Sequence, residues 1–95
     1  MTYITSTHIN REDAAAGYQA IMEALPTTQP DGLLARYAGT SEDGFVVTAV
    51  WTSQAAWARF ATELLGPAVR ATNPPGSGTA RTVEYEAVDE FVATA

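Results

Sequence analysis

Residues 43–65, Asp-Gly-Phe-Val-Val-Thr-Ala-Val-Trp-Thr-Ser-Gln-Ala-Ala-Trp-Ala-Arg-Phe-Ala-Thr-Glu-Leu-Leu, constrain the fold more than any other stretch. An Asp-Gly turn signal opens into a β-branched run, and that run passes directly into an amphipathic helix. Alternation puts Phe45, Val47, Ala49 and Trp51 on one side of the strand and Val46 and Val50 on the other. Both sides are apolar, so the strand needs cover on both faces. After it, Thr52 or Ser53 is placed to accept from the free amides of a helix over 53–65. Trp57, Phe60, Ala61 and Leu64 form that helix's buried stripe. Gly66 is positioned to close it in a left-handed cap, Pro67 to prevent its continuation, and Ala68 to Ala71 to add a short helical turn.

The rest of the chain supplies matching elements. Residues 2–9 alternate, with Tyr3, Thr5, Thr7 and Ile9 on one face and Ile4, Ser6 and His8 on the other. Asn10 is a candidate N-cap for a helix over 11–25, with Glu12 and Asp13 in the first turn, where the helix dipole favours negative charge. Ala14, Tyr18, Ile21, Met22 and Leu25 make its apolar stripe, and Pro26 ends it. A second strand follows over 33–40, with Leu33, Ala35 and Tyr37 on one face and Leu34, Arg36 and Ala38 on the other. Ser41-Glu42-Asp43-Gly44 reads as a hairpin loop with Gly44 free to take positive φ. A Pro- and Gly-rich stretch at 73–78 precedes a last alternating strand over about 80–91.

The order is β-α-β-β-α-β, the split βαβ arrangement of ferredoxin-like α+β folds. It predicts a single domain over residues 1–95, with a four-stranded antiparallel sheet and both helices on one face. The other face should then be polar. The third strand is not, and a second copy of the chain is the economical cover. A domain of this size buries only about two thirds of its unfolded surface alone, which points the same way.

Composition narrows the functions. The net charge is −6, and the only basic residues are five scattered arginines, so no basic stripe exists to engage nucleic acid or an anionic membrane. No apolar run approaches the ~18 residues that span a bilayer, and the N-terminal residues lack a signal-peptide pattern, so a cytoplasmic location is the expectation. With no cysteine and one histidine, neither a disulfide nor a transition-metal site is expected. Glycine-rich phosphate loops, dinucleotide fingerprints and nucleophile elbows are missing from the sequence.

The runs Asp43-Gly44-Phe45, Val50-Trp51-Thr52-Ser53 and Trp57-x-x-Phe60 resemble the dimeric α+β barrel superfamily, and within it the small antibiotic-biosynthesis-monooxygenase-like proteins. The resemblance covers nearly the whole chain by order of elements. It implies a homodimer with two sheets packed face to face and a pocket in each subunit between sheet and helices. The activities it implies include cofactor-free monooxygenation of aromatic polyketides, haem degradation, lactone isomerisation and polyketide cyclisation; other members are stress-responsive or of unknown role. The haem-degrading branch resembles a pattern of an asparagine on the first strand, an aromatic on the second helix and an axial histidine beyond it. Thr5, Phe60 and Arg70 stand in those places here, so the axial ligand is missing and no cofactor is expected.

Several residues are candidates for chemistry. His8 titrates near neutrality and is a possible catalytic base or substrate hydrogen-bond donor; it also reads as an interface histidine satisfied by backbone. Trp51, Trp57, Phe60 and Tyr85 suit an aromatic pocket for a planar ligand, or ordinary core packing. Thr5 and Thr7 are substrate contacts if their face lies under the helices, or a cross-strand threonine pair. Arg81, like Arg36, could hold a carboxylate or phenolate, or form a salt bridge between copies with Glu84 or Glu86. Two readings stay open: a small cofactor-independent monooxygenase, isomerase or cyclase acting on an aromatic or polyketide-type molecule, and a non-catalytic homodimeric module that binds a hydrophobic small molecule.

Overall fold

The computed structural model describes residues 2–9, 14–26, 29–42, 44–72 and 81–93. Strand β1 (Tyr3–Ile9) is followed by helix α1 (Ala14–Ala24), then strands β2 (Leu33–Ser41) and β3 (Gly44–Trp51). A long helix comes next in three parts: α2 (Gln54–Phe60), a π-helical segment (Ala61–Leu65) and α3 (Gly66–Thr72). Strand β4 (Arg81–Glu86) ends the sheet, whose order is β2-β3-β1-β4. Every neighbouring pair is antiparallel. Each helical crossover therefore joins parallel strands across a gap of one, and the other unit's strand fills that gap. This is the expected ferredoxin-like α+β fold.

Register decides which side chains meet the helices. Tyr3 and Thr5 on β1 oppose Trp51 and Ala49 on β3, and all four are buried. The helix-facing core joins Tyr3, Ala49 and Trp51 to Ala56 of α2, with Leu33, Trp57 and Phe60 packed against them. Trp51 is 1% exposed and tilts against both Trp57 and Phe60, at ring-centroid distances of 5.7 and 5.1 Å. Ile4, Ser6 and His8 point the other way, with Val46, Thr48 and Val50 across from them.

Three readings from the sequence need correction. First, Ala35 and Tyr37 do not share a face with Leu33. The β2–β3 register slips between Leu33 and Ala35, so Leu33 opposes Trp51 while Ala35 already opposes Val50. The extra residue inverts the alternation downstream. Arg36 and Ala38 join the helix-facing side opposite Ala49 and Val47, and Tyr37 turns to the open face.

Second, Gly66 does not end the second helix. It is right-handed (φ −55°, ψ −53°), and its amide donates to the Ala61 carbonyl in a wide π turn. Pro67 then falls in the first turn of α3, directly after that wide turn, and the helix runs on past it. Third, β4 stops at Glu86 rather than running on to 91. The Ala87 amide makes one more link, to the Thr2 carbonyl at 2.8 Å, where β1 itself begins. Val88, Phe91 and Val92 beyond it are 92%, 90% and 84% exposed.

Other local expectations hold. Ser53 is the N-cap of α2, its hydroxyl accepting from the Ala56 amide at 3.2 Å. Gly44 takes φ 136° at the β2–β3 hairpin. The capping and first-turn roles assigned to Asn10, Glu12 and Asp13, and the turn position of Asp43, lie outside the described residues.

Candidate functional site: a cavity between sheet and helices

A cavity of about 220 Å³ lies between the helix-facing side of the sheet and the two helical layers. Its space comes from small residues: Ala14 and Gly17 on α1 and Ala49 on β3 leave room that larger side chains would fill. Tyr18, Met22 and Trp57 close it from the helical side. The π segment contributes Leu65 and α3 contributes Val69.

The floor carries the polarity. Thr5, Thr7 and Thr82 reach the cavity from β1 and β4. Thr5, 2% exposed, accepts a hydrogen bond from the Trp51 indole N–H at 3.2 Å. That bond satisfies the buried indole donor and leaves the Thr5 hydroxyl a proton of its own to give. Thr7 and Thr82, cross-strand partners, bond through their Oγ1 atoms at 2.9 Å. Tyr18 stacks at a tilt on Phe45, at a centroid distance of 5.2 Å, which fixes its ring at one end of the wall. Among the described lining residues there is no carboxylate, histidine or amine. Such a cavity can hold an apolar, flat molecule and offer it one or two hydroxyl hydrogen bonds. It supplies no strong base.

The residues singled out in the sequence divide between two faces. Thr5, Thr7 and Trp57 line the cavity. Trp51 lies behind them, wholly in the core, and orients Thr5. Phe60 packs on Trp51 but borders a neighbouring cavity instead. His8, Arg81 and Tyr85 belong to the opposite, open face, because each is out of phase with Thr5 and Thr7 along its strand. There His8 is exposed, with its Nε2 3.3 Å from the Ser6 hydroxyl and Arg81 directly across from it. Tyr18, Gly17, Ile21, Met22 and Thr82 were not named from the sequence as site residues. The α1 stripe was the available signal for three of them, Tyr18, Ile21 and Met22, but it reads as core because a stripe looks the same whether the space beneath it is filled or empty.

Beyond the cavity, one polar contact stands out on the helix-facing side. The Tyr3 hydroxyl donates to Glu84 Oε1 at 2.7 Å. That hydrogen bond to the carboxylate raises the Tyr3 pKa above its ordinary value of 10.0, and burial and the nearby Glu84 charge push the same way.

No protein-family model and no curated protein matches the chain. Solved structures do. A dimeric ferredoxin-like protein of unknown function from Jannaschia sp. CCS1 superposes with a TM-score of 0.67 at 16% identity, covering 92% of this chain and 100% of that one. A candidate antibiotic biosynthesis monooxygenase from Deinococcus radiodurans gives 0.64 at 20% identity, with both chains fully covered. A variant of SnoaB, a cofactor-independent oxygenase from Streptomyces nogalater, gives 0.60 at 16% identity, covering 95% and 94%. At these identities the likeness is one of fold: the chain has the ferredoxin-like α+β architecture of the antibiotic-biosynthesis-monooxygenase-like proteins.

Proposed function

We propose that this protein binds a small aromatic or polyketide-type molecule in the cavity between sheet and helices and oxygenates it without a cofactor. One observation carries the reading: an apolar, aromatic-walled cavity whose threonine hydroxyls, among the described residues, sit together on its sheet side, with Tyr18 at its wall. At about 220 Å³ it is smaller than the ~300–1,000 Å³ of sites for drug-sized ligands, so the ligand is compact. The structural likeness to a cofactor-independent oxygenase supports the reaction class.

The lining dictates how the work divides. With no base among its described residues, the substrate must be acidic in its own right, a phenol or enolisable ketone that gives its proton to solvent as it binds. Its anion then reduces dioxygen, one oxygen atom staying on the substrate and the other leaving as water with two hydrogens of the substrate. The protein would exclude water and hold the anion. Thr5 and Thr7 are positioned to hydrogen-bond the substrate oxygen, and Trp57 to flank its ring. His8 faces away and takes no part in that chemistry within one subunit. Substrate positioning is thus the protein's contribution, and Thr5, Thr7 and Trp57 are the substrate-binding residues.

The open face carries the assembly. Tyr37, Val83 and Tyr85 are exposed there, alongside half-buried Ile4, Val46 and Val50. Contiguous apolar area of this kind marks an interaction surface. A second copy seated on it as a homodimer would cover His8, Arg81 and Tyr85 as well.

The same lack of a base favours a second reading, a homodimeric module that binds a hydrophobic molecule without reacting with it. Oxygen uptake with an anthrone-type phenol separates the two. The oxygenase reading requires uptake by the wild type, loss of it in Val47→Phe, which fills the cavity, and retention in His8→Ala. Binding of the phenol by tryptophan fluorescence without uptake would leave only the binding module.

A further inference from the structure

We infer that the chain holds a second ligand site, for a hydrophobic carboxylate, in a cavity that the β2 bulge furnishes with a cation. The site is independent of the oxygenase reading. This cavity, about 430 Å³, lies on the helix-facing side near the β2 edge. Its walls are Met22, Leu25 and Pro26 at the end of α1, Pro30 and Leu33 leading into β2, and Phe60 and Leu64 of the long helix. Among the described lining residues only Gln29 and Arg36 are polar. Gln29 is already engaged, its side-chain amide donating to the Leu33 carbonyl at 2.7 Å.

Arg36 is in this cavity because of the register slip. A regular β2 would place it on the open face beside Tyr37's present neighbours; the extra residue between Leu33 and Ala35 turns it toward the helices, opposite Ala49. No described residue pairs with it by ion pair or hydrogen bond. A protein with eleven acidic residues and five basic ones thus sets a guanidinium with no partner among the described residues at the mouth of an apolar cavity. A guanidinium offers a planar fork of donors that matches a carboxylate bidentately. The remaining lining is hydrocarbon and one aromatic ring. The complementary molecule is an aryl-alkyl or short-chain carboxylate: its anion on Arg36, its body against Leu25, Phe60 and Leu64.

The two cavities share a wall. Met22 borders both, and the consecutive residues Leu64 and Leu65 of the π segment border the second and the first respectively. Filling the second therefore presses on side chains that shape the first.

The test uses the full chain with 4-phenylbutanoate and, as its neutral counterpart, 4-phenylbutan-1-ol, titrated by calorimetry and by backbone amide NMR shifts. The wild type should bind the carboxylate roughly tenfold or more tightly than the alcohol, as a charge-assisted pair implies. The amide shifts should centre on Leu25, Leu33 and Leu64. Arg36→Gln should erase the preference while leaving the alcohol's affinity unchanged, and Arg36→Lys should retain part of it. Because Arg36 is exposed, both variants should keep the wild-type circular dichroism. Equal affinity for carboxylate and alcohol, a preference that survives Arg36→Gln, or shifts centred on Thr7 and Val47 would overturn the assignment.

Discussion

The bond from Trp51 to Thr5 offers a sharp test of how the core and the cavity share one side chain. Thr5→Val keeps the shape of the residue and removes its oxygen. The Trp51 indole N–H, in a residue 1% exposed, then has no acceptor among its described neighbours. Leaving a buried donor unpaired costs about 1–3 kcal/mol, against which the added methyl contact returns a fraction. A net loss near 2 kcal/mol corresponds to roughly 8–16 °C in melting temperature for a chain of this length. Thermal and urea unfolding at one fixed protein concentration, followed by near-ultraviolet circular dichroism, would measure it. Thr7→Val is the control: its partner Thr82 is exposed, so water can replace the lost bond and the change should stay within ~0.5 kcal/mol. Combining Thr5→Val with Trp51→Phe should recover about 1 kcal/mol relative to the sum of the single changes, because both ends of the bond are then gone. A Thr5→Val protein as stable as the wild type would refute the argument, since the indole would have another acceptor.

Three other outcomes can be checked with similar means. Gly32→Ala should destabilise by more than ~1 kcal/mol in urea unfolding, because Gly32 has φ +84° and a Cβ there would lie 2.5 Å from the Ala56 Cβ. The Tyr3 pKa is raised in the folded protein, so its contribution is intact below the ordinary value of 10.0 and is lost as pH rises through the higher folded value. Unfolding free energy should therefore fall more steeply above pH 10 in the wild type than in Tyr3→Phe; parallel profiles would contradict the Tyr3–Glu84 bond. Light scattering at micromolar concentration should give a dimer for the wild type and a monomer for Val46→Glu, and a wild-type monomer would remove the case for a covered open face.

Much of this architecture is legible in the residues. Strict alternation in Tyr3–Ile9 and Gly44–Trp51 already separates the two faces that the structure separates, and Ser53 announces its helix. Alternation cannot say which face meets the helices, and that alone decides whether His8 or Thr5 enters the cavity. The bulge at β2 escapes notice because Leu-Leu-Ala-Arg-Tyr-Ala carries no glycine or proline to mark it; either parity leaves apolar residues on both sides. Gly66-Pro67 misleads for a different reason. Both residues are strong stop signals when the preceding turn is α-helical, and the π turn before them changes what a proline interrupts. Trp57 and Phe60 share one helical stripe, yet they serve different cavities, since a stripe fixes direction and says nothing about where voids fall.

The π segment can also be viewed as a phase shifter. Each residue of a regular α-helix turns the chain by about 100°, so one surplus residue in a wide turn resets the angular phase of everything after it. Remove one residue from 61–65 and α3 would rotate by about that angle against the sheet. Val69 and Leu65 would swing off the first cavity, and the boundary between the two voids would go with them. The division of this interior into two compartments is thus encoded as a count, one residue more than an α-helix requires, and a length change there would alter ligand selectivity without touching any residue that contacts a ligand's polar group.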